Sequence, residues 1–153
     1  MPGAFDSRHP LVGLIDEVSR LQGRVKSVFA VARQGVGLGE SEITVLNAVV
    51  EAERPPTVPQ IGRSLGHPRQ LIQRAANSLK AAGLIEMLEN PDHKRAPLLA
   101  ATTAGVALKR QADALADEAA EALVPAADIL DAREATKALR ALRRQLEAQL
   151  RGK

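Results

Sequence analysis

The sequence predicts a mostly α-helical chain with one small β-hairpin. Three observations carry that expectation. Apolar residues recur at every third or fourth position over long stretches, the pattern of helices with one buried face. Aromatics are 1% of the 153 residues, Phe5 and Phe29 alone, so the core must be built from Leu, Val, Ile and Ala. Such a composition suits closely packed helices. Two short apolar runs, "LIEML" and "APLLA", bracket "ENPDHKR", whose Asn-Pro-Asp turn reads as a hairpin tip with a basic end.

The elements follow in order. The first ten residues read as a loose lead-in, and from Leu11 an apolar stripe through Leu14, Ile15, Val18, Leu21, Val25 and Val28 to Phe29 predicts a long first helix. It ends near the glycines of "QGVGLGE". "GVGLG" follows a helix rather than a strand, so it reads as a flexible connection and not as a nucleotide loop. "GESEITVLNAVVEAE" predicts a second helix, with Glu40 and Glu42 placed where the helix dipole favours negative charge. "RPPTVP" stops it, because proline cannot continue a helix. Pro59 then opens a short third helix with Ile61 and Leu65 facing inward, and Gly66 makes the turn. A fourth helix runs from about Pro68 to Ala82, closed by Gly83, with Leu71, Ile72, Ala75 and Leu79 on its inner side. After the hairpin, Thr102 caps a fifth helix that stops near Pro125. A sixth starts near Asp128 and carries Leu139, Leu142, Leu146 and Leu150.

Composition narrows the function classes. One domain is the simplest division of a chain this long. With no cysteine, disulfides, thiolate metal sites and thiol redox sensing are excluded. His9, His67 and His93 fall in a tail, a turn and a hairpin without metal-ligand spacing, so neither metal nor cofactor is expected. No catalytic constellation is visible either, and an enzyme is not expected. With no signal-like segment and no apolar run near 20 residues, a cytoplasmic protein without membrane contact is expected.

Net charge is only +3, but its distribution is uneven. Between Glu53 and Glu86 there is no acidic residue, while Arg54, Arg63, Arg69, Arg74 and Lys80 lie inside the gap. On the fourth helix, Arg69, Gln70, Gln73, Arg74 and Asn77 line the side opposite the apolar one. Arginine grips guanine bidentately, and Gln and Asn do the same for adenine, so this is the inventory of a helix that reads a DNA major groove. His67, at the start of that helix, stands either against a phosphate or in solvent. Arg63 has two partners in prospect, the DNA backbone or Glu53. On the hairpin, Lys94 and Arg95 are expected to reach a groove flank, beside His93.

A short helix, a glycine turn, a longer basic helix and a hairpin make a winged helix-turn-helix. The run "TVPQIGRSLGHPRQLIQRAANSLKAAGLIEMLENPDHKRAPLLAATTAG" resembles the MarR family of bacterial transcription regulators. The landmarks are the Ile61–Leu65 helix, the "SLKAAGLIEM" close of the recognition helix, the wing "NPDHKRA" and the T-x-x-G start at Thr102. The family wing often reads Asp-Pro-x-Asp-Arg-Arg; here Asn90 and His93 replace the acids and Lys94 the first arginine, leaving a wing Asp–Arg pair absent or rearranged.

The resemblance implies a DNA-binding lobe over residues 40–101 and a helical dimerisation region over 11–34 and 103–151. Leu11, Ile15 and Val18 would meet Leu139, Leu142, Leu146 and Leu150 of two intertwined copies. It further implies a homodimer on a pseudo-palindromic double-stranded operator, acting as a repressor, with a small aromatic or phenolic anion as possible effector. No pocket residues are assigned for that anion. The competing readings are a helical interaction protein that has lost DNA binding, and a small enzyme using a cavity between helices. The acid-free basic window argues against the first, and the missing acid–base constellation against the second.

Overall fold

The computed structural model describes residues 9–151. Their order is α1 (Pro10–Gly35), α2 (Glu40–Glu51), α3 (Val58–Leu65), α4 (Arg69–Ala81), β1 (Ile85–Leu88), β2 (Leu98–Ala101), α5 (Thr103–Glu121) and α6 (Ile129–Arg151). Most of the expected lead-in, residues 1–8, and the side chain of Leu150 lie outside what the structure describes. His9, expected in that tail, instead caps α1: its Nδ1 accepts from the Leu11 N–H at 3.2 Å. At the other end the Leu38 N–H donates to the Arg33 carbonyl at 3.2 Å. "GVGLG" forms a hydrogen-bonded turn between α1 and α2.

Capping explains where the next helices begin. At α3, the Gln60 N–H donates to Thr57 Oγ1 at 3.3 Å, and the Thr57 N–H donates to Gln60 Oε1 at 2.9 Å. Gly66 (φ +67°) and Gly83 (φ +73°) turn the chain in the left-handed region after α3 and α4, where a side chain would be strained. The two strands pair antiparallel, Ile85 opposite Ala101 and Leu88 opposite Leu98. The Leu99 N–H also donates to the Pro56 carbonyl at 2.7 Å, tying the hairpin to the proline loop before α3. Thr102 caps α5 by accepting from the Gly105 N–H at 3.1 Å, and Asp128 Oδ1 accepts from the Leu130 N–H at 2.8 Å where α6 starts.

One core joins α2, α3, α4 and the hairpin; Leu46, Ile61, Ile72, Leu79, Ile85 and Leu99 are buried in it. Two inward expectations fail: Leu65 is 37% and Leu71 36% exposed. The buried direction of α4 is set by Ile72, Ala75, Ala76 and Leu79, and Leu71 points about 100° away from Ile72 around the helix. α3 approaches α4 at Gly62, where an added Cβ would lie 3.9 Å from the Ile72 side chain. Leu65, the last residue of α3, runs past that contact.

The remaining helices behave differently. α1 lies along α5, with Gly35 leaving room for the Leu115 side chain. α6 shares no extensive contact with another element, and none of its described residues is buried. Among the described residues no helix is long and apolar enough to cross a membrane.

Candidate nucleic-acid interface

The core fixes how α4 is presented. Its buried side leaves Arg69, Gln70, Arg74 and Asn77 exposed and Gln73 half-buried. These residues therefore share one outward surface, as their spacing predicts. Gln73 Nε2 donates to Asn77 Oδ1 at 3.0 Å, one turn further along the helix. That bond orients both amides and still leaves the Gln73 carbonyl and the Asn77 amide hydrogens to face outward.

The edge of this surface is less uniformly basic than the sequence window suggests. Glu42 of α2 reaches it: Ser78 Oγ donates to Glu42 Oε2 at 3.0 Å, and the Gly39 N–H donates to Glu42 Oε1 at 3.1 Å. The carboxylate is engaged in holding the start of α2 to α4. Sequence reasoning missed it because Glu42 lies outside the acid-free run and arrives beside α4 only through helix packing.

On the opposite flank a cleft of about 870 Å³ opens between α3, the start of α4 and the hairpin. Arg54, Arg63 and Arg69 line it, over a floor that includes Pro55 and Pro56, with Asp92 and His93 at the hairpin side. Arg63 makes no ion pair with Glu53 among the described residues, which removes one of its two expected partners. Arg54, absent from the expected site, joins it because the two prolines after it carry the chain along this cleft. Its place in the acid-free window was the available signal. Arg74, Lys94 and Arg95 are likewise exposed and without ion pairs among the described residues. His67 is exposed at the turn before α4. Unneutralised guanidinium groups around one concave surface attract polyanions.

A model described as the MarR family matches residues 36–96. An uncharacterized protein of Mycobacterium tuberculosis is 36% identical over 118 residues, which is 74% of this chain and 81% of that protein. Three solved structures share the fold at 21% identity. A MarR-family transcriptional regulator from Rhodococcus sp. RHA1 has a TM-score of 0.77, covering 90% of this chain and 96% of its own. CouR from Rhodococcus jostii RHA1, bound to p-coumaroyl-CoA, has a TM-score of 0.71 and coverages of 92% and 95%. A mutant MarR from E. coli, complexed with operator DNA, has a TM-score of 0.67 and coverages of 91% and 97%.

The chain belongs to the MarR family. That is a family of transcriptional regulators, and its winged-helix fold is the one found here. The matched segment runs from the α1–α2 turn through α4 to the hairpin, and so contains every residue expected at the DNA surface. The wing of this MarR-family chain is also explained. No ion pair spans it among the described residues. Asn90 is buried in its neck, donating from Nδ2 to the Ala96 carbonyl at 2.8 Å and accepting the Asp92 N–H on Oδ1 at 3.1 Å. One neutral amide therefore closes the loop without the cost of desolvating a charge.

Proposed function

We propose that this MarR-family chain acts as a homodimer on a pseudo-palindromic double-stranded operator, as a repressor. The observation that carries the reading is the outward face of α4, with Arg69, Gln70, Gln73, Arg74 and Asn77 beside a cleft lined by arginines without ion pairs. Base contact falls to α4, while Arg54, Arg63, Lys94 and Arg95 hold backbone phosphates on its flank. His67 lies close enough in sequence to serve the same backbone.

The assignment of residues 40–101 to DNA and of 11–34 with 103–151 to dimerisation is supported by burial. The lobe has its own core, whereas Leu11, Ile15, Val18, Leu139 and Leu146 are exposed and Leu142 is only half-buried. Most of a helix's stability in a protein comes from packing its amphipathic face, and a second copy of the chain supplies the missing cover for α6. A small aromatic or phenolic anion as effector is the family-like completion of this reading, supported by the acyl-CoA ligand of the Rhodococcus relative.

The test is binding to genomic fragments across a range of salt concentrations. Affinity should fall steeply, with a log–log slope of several units, as phosphate contacts release counterions. Binding that ignores salt, or none at any concentration, would remove DNA from the account.

A further inference from the structure

Lys109, on the second turn of α5, is buried, with its side chain 10% exposed. Its Nζ donates to Asp113 Oδ2 at 2.7 Å and pairs with Glu51 Oε1 at 3.4 Å. The two carboxylates have different origins. Asp113 belongs to the same helix, whereas Glu51 is the last residue of α2 in the DNA-binding lobe. Burial by itself pushes the ammonium's pKa down, but the hydrogen bonds and charges of Asp113 and Glu51 outweigh it and hold the pKa above the ordinary lysine value. The group is thus a committed cation, and its burial depends on a carboxylate staying beside it.

A second contact lies nearer the start of α5. The Thr102 hydroxyl donates to the Gly83 carbonyl at 2.6 Å, and its N–H donates to the Leu84 carbonyl at 3.1 Å. Gly105 sits so close to the Leu84 carbonyl that a Cβ there would collide with it. This is the physical content of the T-x-x-G start. Beyond it Leu108 packs against the lobe core and α5 lies against α2, so apolar packing fixes part of the angle between α5 and the lobe. Lys109 adds a polar, geometrically specific contact about 10 Å from Thr102 along the helix axis, tying the direction of α5 to the end of α2. Since α5 also lies along α1, that direction relates the lobe to the long helices.

We propose that Lys109 is a positioning residue that sets the angle of the DNA-binding lobe on α5, and with it the half-site spacing that the dimer accepts. The spacing part rests on the DNA-binding homodimer proposed above; the angle does not. Glu51 is 69% exposed at its side chain, so it can leave Lys109 for water while Asp113 stays. The contact therefore biases one lobe orientation without locking it.

Because the sequence contains no cysteine, spin labels at Glu89→Cys and Asp117→Cys report the lobe-to-α5 distance within one chain, diluted in unlabelled protein. Lys109→Met and the milder surface change Glu51→Gln should both broaden that distance distribution, and Lys109→Arg should restore it. On operators shifted by one base pair between half-sites, both variants should lose discrimination by about two- to fivefold, the range for one partly exposed ion pair. An unchanged distribution in Glu51→Gln, with cooperative unfolding retained, would overturn the proposal. A wild-type chain that shows a narrow distance but binds no DNA would instead remove the function proposed above, and the two failures are separable.

Discussion

The lobe and the long terminal helices solve the same problem in opposite ways. The lobe buries Val45, Leu46, Ile72, Leu79 and Leu99 within one chain, whereas α6 buries none of its described residues. The two regions have comparable apolar periodicity in sequence. What differs is whether the chain itself brings a second surface to cover the stripe. A hydrophobic stripe is thus evidence of a contact, and only the fold shows whether that contact is internal.

Removing α6 by stopping the chain before Asp128 is the harshest way to break this comparison. The dimer should be lost while the lobe, with its separate core, stays folded. Sedimentation of both forms, paired with binding to operators whose half-sites depart from a separation of about 34 Å, reads the outcome. A full-length chain that sediments as a monomer and ignores spacing would overturn the architecture.

Single substitutions sharpen the contrast. Leu79→Ala should cost about 2–5 kcal/mol, since the site is fully buried and the truncation leaves a cavity. Leu146→Ala, at a 48% exposed position, should change stability only through dimerisation. Denaturant unfolding at several protein concentrations separates them. The midpoint shift in Leu79→Ala should persist at every concentration, and that in Leu146→Ala should shrink as the protein is diluted.

At the surface, Arg74→Ala should cost about 1–3 kcal/mol of operator binding and relax the preference for one base pair. Arg95→Ala should weaken all sequences more evenly, because the wing grips rather than reads. A panel of single-base operator variants distinguishes the two. Unchanged preference in the Arg74 variant would move that residue among the phosphate contacts.

The smallest expected effect is on pH. Lys109 has its folded pKa raised, so its contribution is fully present below the unfolded lysine value and is lost as pH rises through the folded one. Between about pH 7 and pH 9 this group should leave the difference in stability between wild type and Lys109→Met flat, the difference shrinking only in more alkaline solution. Thermal unfolding of the two proteins across that range is the check.

Much of the molecule was legible in advance because its signals are local. Prolines, glycines and capping residues act within three or four positions, so the starts at Thr102 and Asp128 and the closure at Gly83 could be read from neighbours. The outward set on α4 was readable for the same reason, since helical periodicity alone separates it from Ile72 and Leu79. Leu65 and Leu71 were misread where periodicity is weakest, at the end of one helix and on the flank of another. There, a side chain's fate depends on how far the neighbouring helix extends.

By itself, the sequence determined the order of the elements, the family to which they belong and the polarity of each helix face, because propensity, capping and charge spacing act along the chain. Tertiary structure alone decided the rest: that Glu42 reaches the edge of the α4 face, that Arg54 joins Arg63 and Arg69 around one cleft, and that Glu51 meets Lys109. Glu42 and Ser78 are 36 residues apart, and Glu51 and Lys109 lie on different helices. The physical reason is that such contacts are set by where helices cross. Crossing depends on close fits such as the Gly62 backbone against the Ile72 side chain, which no one-dimensional pattern records.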